Sequence, residues 1–187
     1  MSVELLLPAM VREHDVTRVA RLRAMIDQHF DTVWRSLRRL GVPEAGTDDS
    51  AQQVFVVAAR RLDEIEVGTE RGYLLGIALR VASDARRAAA RRREVPMDAT
   101  AAAASPLVAP PAQPDEVLEH KRALARLAAA LDQVTDELRE AFVLFELEEL
   151  TAPEVAKALG VPIGTVASRV RRAREQLRQN LGKRGVP

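Results

Sequence analysis

Cysteine is absent from the 187-residue chain. That excludes a disulfide scaffold, a cysteine nucleophile and thiolate metal sites, and it fits a reducing compartment. Aromatic residues make up only 3%. An all-β sandwich of this length would use more aromatic and β-branched side chains, so the expectation is helical. No window approaches the ~18 uninterrupted apolar residues of a membrane span. Met1 to Pro8 has no basic stretch ahead of Leu5, Leu6 and Leu7, and does not read as a secretion signal. A cytoplasmic protein without direct membrane insertion is expected. His14, His29 and His120 are scattered, without metal-ligand spacing. No Gly-rich loop ends in a phosphate-binding Lys. Glu146, Glu148 and Glu149 fall on a helical pattern, which suits a surface better than acid–base catalysis. No catalytic residue, metal or cofactor is expected, and the chain is not expected to be an enzyme.

Net charge is also scarce. It is +1, from 28 basic and 27 acidic residues, but the charges are segregated. Between Arg80 and Glu94 six arginines stand against Asp84 and Glu94. Between Leu131 and Glu154 eight acids stand against Arg139. Between Ile163 and Pro187 seven bases stand against Glu175. Two basic blocks, each on a helical pattern, suggest two contacts with a polyanion or two solvated helix faces. The acidic stretch reads as a solvated face that discourages wrong-way docking of DNA, or as a contact for the basic helices or an inhibitory partner. Lys occurs only at Lys121, Lys157 and Lys183. The dominant Arg can hold phosphate or guanine bidentately.

Residues 19–40 carry a stripe of Val19, Leu22, Ile26, Phe30, Val33, Leu37 and Leu40, the spacing of a helix that stops at Gly41 and Pro43. Thr47, Asp48, Asp49 and Ser50 supply N-cap candidates and first-turn acids. The helix they open carries Val54, Phe55, Ala58, Leu62 and Ile65 inward. Glu66 to Thr69 reads as a loop. A third helix from about Glu70 turns Tyr73, Leu74, Ile77, Ala78, Val81 and Ala85 inward and ends in the arginine run. Residues 96–114 hold five prolines and four consecutive alanines, the composition of a flexible linker. In polyproline form, at ~3.1 Å per residue, the segment reaches ~59 Å, which approaches two turns of duplex at ~34 Å each. Beyond it, Val117, Leu118, Leu124, Leu127, Leu131 and Val134 mark one helix, and Leu138, Ala141, Phe142 and Phe145 the next.

Thr151-Ala-Pro-Glu154 has the form of a capping box, with proline early in the helix where no amide donor is needed. The short helix 153–159 turns Val155, Ala156 and Leu159 inward. Gly160 is suited to positive φ at the helix end. A second helix starts near Pro162–Thr165 with an apolar stripe of Val166, Val170, Ala173, Leu177 and Leu181, and projects Ser168, Arg169, Arg171, Arg172, Arg174 and Arg178 outward. A short capped helix, a glycine turn and a longer basic helix make a helix-turn-helix. Its second helix fits the major groove, where arginine pairs with guanine O6 and N7. The competing reading is an ordinary helical hairpin with an arginine-rich surface.

The segment from Leu138-Arg-Glu-Ala-Phe142 to Leu177 resembles region four, the promoter-binding end, of bacterial RNA polymerase sigma factors. The likeness is closest to the extracytoplasmic-function group. Gly164-Thr-Val-Ala-Ser-Arg-Val-Arg-Arg-Ala-Arg174 matches that group's recognition helix nearly throughout. Asp48-Asp-Ser-Ala-Gln-Gln-Val-Phe55 is similar to the region-two helix that docks on the polymerase clamp. Tyr73 to Arg93 is similar to the helix that faces the start-proximal promoter element. The resemblance implies an all-α protein of two small helical domains. Residues 1–95 would bind core polymerase and the start-proximal element, 96–114 would form the linker, and 115–187 would carry the helix-turn-helix. It implies core RNA polymerase, promoter DNA and an anti-sigma factor as partners. By position, Asp48, Asp49, Gln52, Gln53 and Phe55 would meet polymerase. Arg80, Arg86, Arg87, Arg91 and Arg92 would meet DNA from region two. In region four, Ser168, Arg171 and Arg172 match base-edge positions, while Thr165, Arg169 and Arg174 match backbone-facing or structural ones. The loop Glu66–Thr69 corresponds to the segment that captures a flipped base. Gln53 stands where an acid is common, Tyr73 replaces the usual Trp and Arg80 a frequent Asn. Ala167 stands where a base is frequent, and Val134-Thr135 replaces the usual Leu-Pro. Two other functions compete: a dimeric helix-turn-helix repressor or activator binding a palindrome, and a helical adaptor that binds no DNA.

Overall fold

The computed structural model describes residues 7–94, 123 and 125–182, with side chains described from residue 16 to residue 92 and again at 123 and 125–182. The linker 96–114 and the predicted core positions Val117, Leu118 and Leu124 lie outside the described residues, as do the side chain of Arg93 and the terminal Lys183 and Arg184. Every described element is helical. They are α1 (Leu7–Arg39), α2 (Thr47–Arg60), α3 (Glu70–Glu94), α4 (125–131), α5 (Asp136–Phe142), α6 (Ala152–Leu159) and α7 (Ile163–Gly182). Among the described residues no helix is long and apolar enough to cross a membrane.

Helices α1, α2 and α3 pack on one another, and α5, α6 and α7 do the same. The first group buries Val33, Leu37, Leu40, Val54, Ala58, Leu74 and Ala78. The second buries Leu131, Ala141, Leu144, Val155, Val166, Val170, Ala173 and Leu177. The groups touch each other chiefly where α3 meets α6.

Several local expectations change. Helix α1 begins at Leu7 rather than near residue 19. Its stripe is buried only toward the C-terminal end, because only there do α2 and α3 cover it. Val19 remains 65% exposed. Helix α2 is capped by Gly46, with no side-chain cap. Thr47 is already helical and buried, and its hydroxyl donates to the Pro43 carbonyl at 2.9 Å. Leu181, expected on the inner stripe of α7, is 41% exposed.

Helix α3 buries more than one stripe. Leu75, Leu79 and Ala82 are buried along with the predicted Leu74, Ile77 and Ala78, while Tyr73, Val81 and Ala85 are half-buried; α6 packs against α3 in addition to α1 and α2. After α5 the backbone widens into a π turn at Val143–Leu147, with the Glu148 amide donating to the Val143 carbonyl at 2.9 Å. Glu149 then takes a left-handed φ of 50°. The extra residue in that turn shifts every later position around the helix, and Glu148 arrives inside at 3% exposure.

Candidate nucleic-acid interface

The helix-turn-helix forms as its sequence specifies. Thr151 is the N-cap of α6 with the capping box in place. The Glu154 carboxylate accepts the Thr151 amide at 2.8 Å and its hydroxyl at 2.6 Å. Those two donors hold the Glu154 carboxyl below the usual carboxylate range. Gly160 ends α6 at φ 66°, the left-handed conformation that glycine adopts without a Cβ penalty. The Thr165 amide donates to the Pro162 carbonyl at 2.9 Å and starts α7.

Burial of Val166, Val170, Ala173 and Leu177 fixes the rotation of α7. Its other side is basic. Arg171, Arg172, Arg174 and Arg178 are exposed, while Thr165, Ser168 and Arg169 are half-buried. Ser168 donates back to the Thr165 carbonyl at 2.9 Å. Arg169 pairs with Glu137 of α5 at 2.7 Å, and Arg174 pairs with Glu146 of the π turn. No carboxylate among the described residues pairs with Arg171, Arg172 or Arg178. That face therefore holds two arginines braced by neighbouring acids, with arginines between and beyond them that have no carboxylate partner among the described residues.

The basic end of α3 divides. Arg80, Arg87, Arg91 and Arg92 are exposed, and Arg87 pairs with Asp84 at 2.5 Å. Arg86 turns the other way. Its side chain is 12% exposed and meets Asp136 at 3.1 Å and Glu140 at 2.8 Å, while its third edge donates to the Leu40 carbonyl. In this arrangement Arg86 is not available to a phosphate, contrary to the expectation for it. The loop before α3 is also anchored. Arg21 of α1 donates to the Leu62 and Ile65 carbonyls and pairs with Glu70 at 3.5 Å.

On α2, Asp48, Asp49, Gln52 and Gln53 are exposed. Asp48 accepts the Trp34 indole N–H at 2.8 Å. Phe55 does not share this face. It is buried and stacks on Phe30 with ring centroids 6.1 Å apart, so its part is in the core. Val56 takes its place, 38% exposed. Asp49, Gln52, Gln53 and Val56 follow one helical face, and that spacing could have identified Val56 from the sequence.

The acidic stretch is not simply a solvated face. Glu148 meets Arg39 at 2.8 Å and Arg71 at 3.2 Å. Arg139, also buried, donates to the Leu131 carbonyl at 2.8 Å and the Val134 carbonyl at 3.2 Å. Burial lowers its pKa, opposed by Asp136 and Asp132. The sequence reading placed Glu148 on a surface, which its burial overturns, and gave Arg139 no role. A lone base within an acidic run was the signal for Arg139. Glu148 gave none, because the π turn that buries it has no sequence signature here.

The sigma-70 region 4 family model matches residues 124–177, the α4–α7 group. The ECF RNA polymerase sigma factor SigL of Mycobacterium tuberculosis is 31% identical over 171 residues, covering 89% of this chain and 92% of its own. The ECF RNA polymerase sigma factor SigE of Mycolicibacterium smegmatis is 34% identical over 159 residues, 85% of this chain. The chain spans only 61% of that relative's length. The structure of CnrH in complex with the cytosolic domain of CnrY superposes with a TM-score of 0.61 at 25% identity, over 87% of this chain and 88% of that one. A relative matched along nearly its whole length, together with a basic recognition helix turned outward, fixes the family: the chain belongs to the ECF RNA polymerase sigma factors.

Proposed function

We propose that the protein is an initiation factor that binds core RNA polymerase and directs it to a set of promoters, without bond chemistry of its own. The observation that carries this is the outward placement of Arg171 and Arg172, without a carboxylate partner among the described residues, on a helix whose rotation the buried stripe fixes. Ser168, Arg171 and Arg172 read base edges of the upstream element in the major groove. Thr165, Arg169 and Arg174 hold the phosphate backbone, which sets register. Arg80, Arg87, Arg91 and Arg92 track the start-proximal element, with Arg86 joining them only when its partners release it. Asp48, Asp49, Gln52 and Gln53 meet polymerase, and Val56 supplies the apolar contact expected of Phe55.

Residues 1–95 and 115–187 act as the two modules and 96–114 as their tether. The likeness to CnrH, which is bound by the cytosolic domain of another protein, supports an anti-sigma partner and a cytoplasmic location for this chain as well. Run-off transcription with core polymerase of the source organism tests the proposal. The expected result is transcript from a subset of genomic promoters only when the protein is added. Arg171→Ala and Arg172→Ala each weaken promoter binding by roughly 1–3 kcal/mol, the worth of one bidentate pairing with a base. Binding to duplex alone with no affinity for core polymerase would defeat it.

A further inference from the structure

The first turn of α7 carries an apolar side chain that the core does not use. Ile163 opens the helix and is 54% exposed, while Val161, two residues earlier, packs against the core. Ala167, one turn further on, is exposed as well. With Arg171 they follow at intervals of four, so the three lie along one flank of the helix. Burial of Val166 and Val170 fixes that flank beside the face of Ser168 and Arg172. A lane thus runs from two aliphatic groups to a guanidinium with no carboxylate partner among the described residues.

We propose that Ile163 and Ala167 are specificity residues that read thymine methyl groups of the upstream element, on the flank where Arg171 reads guanine. The proposal deepens the sigma-factor function above and rests on it. A helix-turn-helix presents the N-terminal residues of its second helix to base edges, and Ile163 is the first residue of α7. The thymine 5-methyl is the apolar group that base pairs display in the major groove; the other features there are donors and acceptors. An aliphatic side chain pressed onto guanine, cytosine or adenine covers polar edges without replacing their hydrogen bonds to water, which costs free energy. Pressed onto thymine, it buries a methyl group instead. Helical rise sets Ile163 about 6 Å from Ala167 along the axis, and Ala167 about 6 Å from Arg171. At ~3.4 Å per base pair, the thymines fall within about four pairs of the guanine. The lane therefore gives the element a thymine-bearing end and a guanine-bearing end, with the order set by the direction of α7.

The test uses the full chain bound to core polymerase and a promoter fragment recovered from the run-off transcripts. Each thymidine of the upstream element is replaced in turn by deoxyuridine, which removes the 5-methyl and keeps the base pair. Uracil at one or two positions is expected to lower affinity about fourfold, the worth of burying one methyl group. Ile163→Ser abolishes the drop at one position, and Ala167→Gly abolishes it at the other. The uracil-to-thymine ratio is taken within each variant, so a loss of helix stability, which acts on both DNAs alike, does not enter it. An element without thymine within about four pairs of the guanine overturns the proposal. So does a uracil series without effect, or one whose effect persists in both variants. If Ile163→Ser weakens binding to core polymerase and leaves the uracil ratio unchanged, Ile163 meets the enzyme and the methyl reading falls. In all these outcomes promoter binding continues and the sigma-factor function stands. Loss of all promoter binding by the native protein with core polymerase would instead remove that function, and the methyl reading with it.

Discussion

Thr151 and Glu154 carry the clearest stability statement at the scale of single residues. The carboxylate accepts two donors from Thr151, which keeps its pKa below the ordinary value of 4.5. A group depressed on folding stabilises the folded state above its unfolded pKa, and loses that contribution as pH falls through its folded pKa. Thr151→Ala is expected to cost about 1 kcal/mol near neutral pH, read as a lower thermal midpoint by circular dichroism. Glu154→Gln is expected to narrow its deficit against the native protein as pH drops below about 4. A gap that stays constant from pH 7 to pH 3 would show that the box does not depend on the charge. The capping box was legible because its four residues are consecutive. The inward position of Phe55 was legible in the spacing of α2. The burial of Arg86 was not, because it depends on Asp136 and Glu140, far away in sequence.

Among the elements, α6 and α7 follow directly from local chemistry. Cap, left-handed glycine and the apolar spacing from Val166 to Leu177 all agree, so the elements and their rotation were readable in advance, except at Leu181, expected inward but 41% exposed. Gly160→Val puts a β-branched residue at φ 66°, and it is expected to destabilise the protein by about 1–2 kcal/mol, against little change for Gly164→Ala, where a Cβ meets nothing within 4 Å. Comparison of urea midpoints distinguishes the two. The segment 143–150 was opaque for the opposite reason. Leu144 and Val143 are fully buried only because the π turn advances the helix by an extra residue, and apolar periodicity assumes a constant turn. Leu144→Ala is therefore expected to cost about 2–5 kcal/mol, whereas Phe145→Ala, only partly buried, costs less. Equal losses at the two sites would mean that the turn is α-helical in solution.

At the scale of the whole molecule, the net charge of +1 gives no long-range attraction to DNA, and the segregation of charge must supply it. A free arginine releases counterions when it reaches a phosphate, and an arginine already paired with a carboxylate releases fewer. Among the described residues, Arg171, Arg172 and Arg178 on α7 are of the first kind and Arg169 and Arg174 of the second. The affinity of the polymerase-bound protein for promoter duplex is thus expected to fall with salt. Each phosphate contact adds about 0.9 to the slope of log K against log salt. Glu137→Gln with Glu146→Gln frees the two braced arginines. It is expected to steepen that slope by up to about 2, measured by fluorescence anisotropy across a salt series. It should also relax positioning, because the braces orient the guanidinium groups before DNA arrives. A slope no steeper than the net charge would require, in the native protein or in the double variant, would mean that the basic face of α7 does not meet the backbone at all.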